Sequence, residues 1–274
     1  MSSKTNWTGE RLETFVNNES TVEHLHRYAI AAELAAGKTV LDIACGEGYG
    51  SHLLAAKATG VTGVDIDEST VSAAKQKYNR ANLQYITGRA EKIPAANESY
   101  DMVVSFETLE HLSDHGAMLQ EIKRVLKPGG LLLISTPDKK TYSDETGYKN
   151  PFHQKELYTA EFASLLKEYF THVKIVGQRM VHSSVIYTDS AAPLVQYSGD
   201  YQQIRKDTAP AAIYNIALAS DGVLPELPAS LFNGNSMHQQ ALAEQEKMIT
   251  QTITYRTGHI LLYPFKLIRN LFRK

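Results

Sequence analysis

The chain contains a single cysteine, Cys45, among its 274 residues, which excludes an internal disulfide and a cysteine-built metal site. Long apolar runs are also lacking: none approaches the ~18 residues needed to span a bilayer. The first ten positions are mostly polar, so the reading predicts no secretion signal and a cytoplasmic location. Neither sign of charge dominates, with 28 Lys and Arg against 30 Asp and Glu and a formal net charge of -2. That balance removes the global electrostatic reason to expect a nucleic-acid partner. No internal repeat or low-complexity tract occurs. The composition that is present, 43% hydrophobic and 21% charged residues, suits a globular protein that buries one large core plus a modest appendage.

One stretch organises the rest: Thr39-Val-Leu-Asp-Ile-Ala-Cys-Gly-Glu-Gly-Tyr-Gly50. Val40, Leu41 and Ile43 make the aliphatic run of a covered parallel strand, and Gly46, Gly48 and Gly50 permit a tight turn with close backbone approach by a ligand. Residues 51–58 are good helix formers, so the turn delivers backbone N–H groups at a helix N-terminus on the sheet's carboxyl edge. A dinucleotide site would also place glycines here. Asp42 argues for something else: a carboxylate beside a pyrophosphate costs electrostatic energy, whereas beside an ammonium or sulfonium it is favourable. The stretch therefore reads as a site for a cationic nucleoside, with a ligand-free βα turn as the alternative. The pattern recurs at Gly60-Val-Thr-Gly-Val-Asp-Ile-Asp67. Asp65 falls about 20 residues after the glycines, where an acid at a second strand's end accepts both ribose hydroxyls; Ile66 is expected to pack on the adenine face.

Before this unit, Ser20 is expected to cap a helix running to about Leu34, with Glu23 three positions on. Leu25, Tyr28, Ala29 and Ala32 form its apolar side. It is either an ordinary packing helix or the element from which Arg27 or Tyr28 reaches a ligand carboxylate. Further strands are expected over 83–87, 100–106, 131–136 and 173–178, with helices over 117–126 and 159–170, and a last apolar stretch over 211–219. The fold class is α/β, a doubly wound seven-stranded mixed sheet with a helical C-terminal appendage. The expected divisions are an N-terminal helical segment 1–36, a binding domain 37–221 and an appendage 222–274. The loop 138–151 is long for a compact domain, which suggests a lid or substrate loop. In the tail, Leu261, Phe265, Ile268 and Phe272 share one helical face while Lys266, Arg269 and Arg273 share the other, a pattern for peripheral contact with an anionic membrane or a partner helix. His111 and His153 follow the fourth strand and the long loop, on the edge where substrate would sit, and are the candidate general bases, with Glu110, Glu107 and Glu10 behind them. Asp114, His111 and His115 lie within one turn but read as solvated polar positions, so no metal is expected.

These motifs in this order resemble the class I S-adenosylmethionine-dependent methyltransferases over roughly residues 20–220, with Asp42, Gly46, Gly48 and Gly50 matching the family's acid and glycines. The resemblance implies S-adenosyl-L-methionine as cofactor, Phe106 bordering its methionine part, and a seventh strand inserted antiparallel between the fifth and sixth. Where the family has an acid for adenine, this chain has Arg89, which leaves Ala90 and Glu91 as the adenine contacts. More narrowly, Gly9-Glu-Arg11, His24-Leu-His-Arg-Tyr28, Ser105-Phe-Glu-Thr-Leu-Glu-His111, Ser135-Thr-Pro137 and Asn150-Pro-Phe-His153 look like bacterial methyltransferases of cell-surface polysaccharide synthesis. That likeness implies O-methylation of a sugar hydroxyl on a glycan. It also implies that residues 259–274 contact the inner face of the membrane or a glycosyltransferase complex. The alternatives are a small-molecule acceptor, either a soluble metabolite or a quinone-like lipid, and a non-catalytic scaffold of glycan-assembly enzymes.

Overall fold

A computed structural model describes residues 12–186, 195–207, 210–259 and 261–262. Helix α1 spans Glu19–Leu34 and is capped by Asn18, whose side chain accepts the Thr21 N–H at 3.1 Å. The start is therefore Asn18 with Thr21, not Ser20 with Glu23. Its buried side is also shifted from the expected stripe: Val22, Glu23, Arg27, Tyr28 and Ala31 point inward while Ala29 is exposed. The core accepts Arg27 because Gln178 and the rings of Tyr214 and Phe106 receive its guanidinium.

The chain continues through β1 (Thr39–Ile43), α2 (Tyr49–Leu54), β2 (Gly60–Asp65), α3 (Glu68–Lys77), β3 (Leu83–Thr87), β4 (Tyr100–Phe106), α4 (His115–Val125) and β5 (Leu126–Pro137). It ends with α5 (Thr159–Lys167), β6 (His172–Gln178), β7 (Gln196–Gly199), β8 (Ile204–Asp207), β9 (Tyr214–Ser220) and α6 (Asn235–Gln251). Seven strands form one sheet in the order β3-β2-β1-β4-β5-β9-β6. All neighbours up to β5 are parallel, and β9 lies antiparallel to both β5 and β6. The antiparallel insertion expected from the family resemblance is present.

Alternate side chains of the central strands enter opposite layers, as the period-two geometry of a strand requires. Leu41, Val103, Leu132 and Ile134 pack with Met118, Leu119 and Ile122 of α4 and with Phe162 and Leu166 of α5. On the other face Val40, Met102, Val104, Leu131 and Leu133 pack with Tyr28 and Ala31 of α1 and Leu54 of α2. A sheet covered on both sides explains why these strands read as continuous apolar runs. Beyond β9, Leu224 and Leu227 pack on the second layer, and the ring of His26 on α1 lies 2.8 Å from the Ser230 hydroxyl. Helix α6 has no buried residue. No helix among the described residues is long and apolar enough to cross a membrane. Gly9, Glu10 and Arg11, and the tail residues Phe265, Lys266, Ile268, Arg269, Phe272 and Arg273, lie outside the described residues.

Candidate active site

Strand order reverses between β1, which continues outward to β2, and β4, which starts the other half of the sheet. Ligands of open α/β sheets bind beside such a switch point, at the carboxyl ends of the strands. A cavity of about 660 Å³ opens there, lined by the turns and loops that leave the parallel strands: Ala44 to Gly46, Ile66, Gly88 to Glu91, Glu107, Thr108, Glu110 to Ser113 and Tyr142. That volume suits a cofactor-sized ligand. Leu12, Val16 and Asn18 line its outer side, and this N-terminal segment is fastened by the Thr14 N–H donating to Glu47 Oε2 at 2.7 Å.

The glycine turn is built as its composition demands. Gly46 and Gly48 have φ of +51° and +86°, in the left-handed region that side chains resist. Asp65 ties this turn to β2: its Oδ2 accepts the Gly46 N–H at 2.9 Å and its Oδ1 the Asp67 N–H at 3.0 Å. The carboxylate stands at the strand end on the cavity wall, where ribose hydroxyls would meet it. Ile66 beside it is 53% exposed, an apolar side chain left open to the cavity. Ala90 and Glu91 line the same end, with Arg89 Nη2 donating to Glu91 Oε1 at 3.1 Å. Phe106 lines the middle and stands edge-on to Tyr28, centroids 5.0 Å apart.

Three expectations change. Asp42 is fully buried and does not line the cavity; its carboxylate accepts Ser51 Oγ at 2.6 Å and Tyr28 OH at 3.2 Å. Burial pushes its pKa up to about 7 against the lowering effect of those two hydrogen bonds. Asp42 thus holds the turn from beneath, and Tyr28 is the group that carries its influence to the wall. Gly48 likewise sits behind the wall, in contact range of the Tyr85 ring. Arg27 does not reach the cavity either. It is 1% exposed, donates to Gln178 Oε1 at 2.7 Å, and lies over the rings of Tyr214 and Phe106.

At the opposite end of the cavity the structure brings together Glu110, His111 and His153, whose ligand-capable atoms all lie within 4.8 Å of one another. Glu110 and His111 form a short 3-10 turn after β4. His153 comes from the far end of the long loop, and the Glu110 carbonyl clamps that loop by accepting the Gln154 and Lys155 N–H groups at 2.8 and 3.1 Å. Burial, and then the charge of Glu107, hold the Glu110 carboxyl well above the usual carboxylate range. Asp114 and His115, close to His111 in sequence, take no part in this cluster: Asp114 caps α4 by accepting the Ala117 N–H at 3.0 Å, and His115 is buried. Cys45 lines the wall as a thiol, since burial and the neighbouring carboxylates Asp42 and Asp65 push its pKa up.

The sequence reading missed Tyr142, Tyr148 and Tyr214, which face the acceptor end as an aromatic wall. Tyr142 stacks on His153 with centroids 5.4 Å apart. Tyr214 opens a strand whose sequence reads as apolar core, and its place on the carboxyl edge follows only from the antiparallel pairing. Glu107, ranked behind the histidines, sits at φ +53° and accepts Ser135 Oγ at 2.5 Å.

Residues 41–134 match a family described as a methyltransferase domain. A SAM-dependent methyltransferase of Thermotoga maritima superposes with a TM-score of 0.51 at 17% identity, covering 73% of this chain and 92% of that one. The fold is the Rossmann-like methyltransferase fold. A Mycolicibacterium smegmatis protein named "Probable S-adenosylmethionine-dependent methyltransferase" is 39% identical over 163 residues, 58% of this chain and 63% of its own. From the same organism, a fatty-acid O-methyltransferase is 30% identical over 120 residues, 43% of each chain. The chain spans less than two thirds of the length of these curated relatives. The methyltransferase domain implies S-adenosylmethionine as cofactor, and this cavity fits it. Asp65, Ile66, Ala90, Glu91, Phe106 and Tyr28 all line the cavity, and the Gly46 turn allows close approach.

Proposed function

We propose that the protein is an S-adenosylmethionine-dependent O-methyltransferase whose acceptor hydroxyl is held at the Glu110–His111–His153 end of the cavity. The observation that carries this reading is one cavity lined by the Asp65 carboxylate and Ile66 at one end and by the Glu110–His111–His153 cluster at the other. When bound, the cofactor supplies an activated methyl on a sulfonium; the chain has to align the acceptor, exclude water and activate the hydroxyl. The N-terminal segment and the long loop cover the cavity, and the two imidazoles and Glu110 address the hydroxyl. The Tyr142, Tyr148 and Tyr214 rings give a platform for the apolar face of a sugar. That platform supports the finer reading of a sugar hydroxyl in glycan assembly, with residues 259–274 attaching the enzyme to a membrane or to a glycosyltransferase complex. A second reading, an oxygen acceptor on a lipid, is supported by the likeness to a fatty-acid O-methyltransferase.

The test is transfer of radiolabelled methyl from S-adenosylmethionine to a panel of nucleotide sugars, lipid-linked oligosaccharides, fatty acids and quinone precursors. Label in a sugar fraction that is retained on alkaline hydrolysis upholds the ether-forming reading. Label released by alkali from fatty acids moves the acceptor to a carboxylate, and cofactor binding without any transfer favours a scaffold. His111→Ala and His153→Ala should each lower turnover about 100-fold or more while cofactor affinity by calorimetry stays within about twofold. Co-sedimentation with anionic vesicles, with and without residues 259–274, tests the attachment.

A further inference from the structure

We propose that Glu110, His111 and His153 form a site for one divalent first-row transition ion, such as Mn²⁺, Fe²⁺, Co²⁺ or Zn²⁺, placed to receive the acceptor oxygen. Two segments far apart in sequence are stitched together at this point by the Glu110 carbonyl, which takes both the Gln154 and the Lys155 N–H. The stitch sets His153 against Glu110 and His111, with the three donor atoms within 4.8 Å of one another. Ligands at ~2.0–2.2 Å from one ion lie roughly 3–3.5 Å apart, so the donors stand at most about 1–2 Å wider than a loaded site requires.

Each donor is also prepared for coordination. His111 Nδ1 lies 3.1 Å from the Phe152 carbonyl, and a carbonyl can only accept, so Nδ1 is the donor there and Nε2 is the ligand atom of the neutral ring. His153 Nδ1 lies 2.6 Å from Glu156 Oε1, the carboxylate–imidazole pairing that orients metal-binding histidines and raises their basicity. The lone pair on His153 Nε2 accepts the Asn150 amide at 2.9 Å. An ion would take over that lone pair, and the amide would keep its other partners, the Phe152 N–H donating to Oδ1 at 3.0 Å and the Tyr142 hydroxyl accepting from Nδ2 at 3.4 Å. Glu110 is anchored by Thr136 Oγ1, which donates to its Oε2 at 3.0 Å. Two imidazoles and one carboxylate form a borderline donor set that suits transition ions better than Mg²⁺ or Ca²⁺, and three protein ligands leave positions for an exogenous oxygen. Glu107 on the same wall adds negative charge that a cation would offset.

The ion's role in the reaction rests on the methyl-transfer reading; its binding does not. A coordinated hydroxyl ionises more readily, as the fall of water's pKa to ~7 on zinc illustrates. The oxygen–carbon bond then forms as the methyl's bond to sulfur breaks, the bonding pair stays on sulfur, and the hydroxyl proton leaves to water. In the loaded protein His111 and His153 act as ligands, and their part in activating the hydroxyl is exerted through the ion.

The experiment is a Co²⁺ titration of the full chain after chelator treatment, read by calorimetry and by visible absorption. The expected result is one equivalent bound with d–d bands, displaced by Zn²⁺. Affinity should fall about 10-fold or more in Glu110→Gln, which preserves shape, and in His153→Ala, and be lost in the double variant His111→Ala/His153→Ala. S-adenosylhomocysteine affinity should stay within about twofold in all of them, which also reports that they are folded. Wild type binding Co²⁺ no better than the double variant overturns the site. Full-rate methyl transfer in excess chelator overturns the ion's role in receiving the acceptor oxygen and leaves the transferase reading standing. Co²⁺ bound as expected with no S-adenosylhomocysteine binding upholds the metal site and overturns the transferase reading instead.

Discussion

Replacing Asp42 by Asn removes a charge that the folded chain tolerates poorly while keeping the side chain's outline. In the fold this carboxyl has no solvent exposure, and its pKa is raised from 3.8 to about 7 by burial. The folded state therefore binds the proton more tightly than the unfolded chain. The stabilisation linked to that proton is complete below the unfolded value near 4, declines as pH rises through the window, and is gone above about 7. Each tenfold difference in proton affinity between the two states is worth about 1.36 kcal/mol, so the loss attributable to Asp42 between pH 5 and pH 8 is on the order of 3 kcal/mol. The amide in Asp42→Asn does not titrate, so the variant should lack that part of the decline. Glu23, pushed to about 7 by burial, contributes a similar slope to both proteins and cancels in the difference. The assay is urea unfolding of cofactor-free protein at pH 5, 6, 7 and 8, comparing wild type with Asp42→Asn at each pH. The stability difference should move in the variant's favour by about 2–3 kcal/mol across the series. A difference that stays constant with pH would refute the claim that Asp42 is ionised at a cost in the fold.

Gly50→Ala should destabilise the protein despite Ala's helix preference. The added Cβ would lie 1.9 Å from Tyr28 Cζ, on a ring fixed by Asp42 and Phe106. The overpacking cost of about 1–3 kcal/mol or more exceeds the ~1 kcal/mol gained in propensity, and a double-mutant cycle with Tyr28→Ala should show strong coupling in chemical denaturation. Asp65→Ala should weaken S-adenosylhomocysteine binding about 10- to 100-fold by calorimetry, as expected for loss of charged hydrogen bonds. Ile66→Ala, which removes only apolar contact, should cost about tenfold or less; equal losses in the two would argue against the assigned ribose and adenine ends. Leu133→Ala, in the centre of the second layer and 1% exposed, should cost about 2–5 kcal/mol and leave the calorimetric cofactor affinity unchanged.

The half of the sheet nearest the cofactor is legible in the sequence because local rules govern it. Apolar runs ending in an acid and followed by glycines or a helix start specify β1, β2 and their turns without long-range information. Asp65 and Ile66 stand where that spacing puts them. Asp42 and Arg27 lie off the cavity because their neighbours absorb them, and sequence shows that a charge is present near a site without showing those neighbours. Ser51 and Tyr28 bind Asp42, and Gln178, Tyr214 and Phe106 enclose Arg27. The acceptor end is less visible for a different reason. His111 and His153 can be nominated singly, yet their meeting with Glu110 depends on the backbone clamp across the long loop. Tyr214 reaches the wall only because β9 runs antiparallel.

That reversed strand has one more implication. Gln178 and Tyr214 are register partners at the end of the β6–β9 ladder, beside the last residue of β5, so the stretch between them leaves and re-enters at adjacent points. Exchanging or lengthening it leaves the ladder's hydrogen bonds untouched, and closure entropy grows only with the logarithm of length. The fold thus offers a graft point next to Tyr214 on the cavity wall, while the glycine turn after β1 stays as it is.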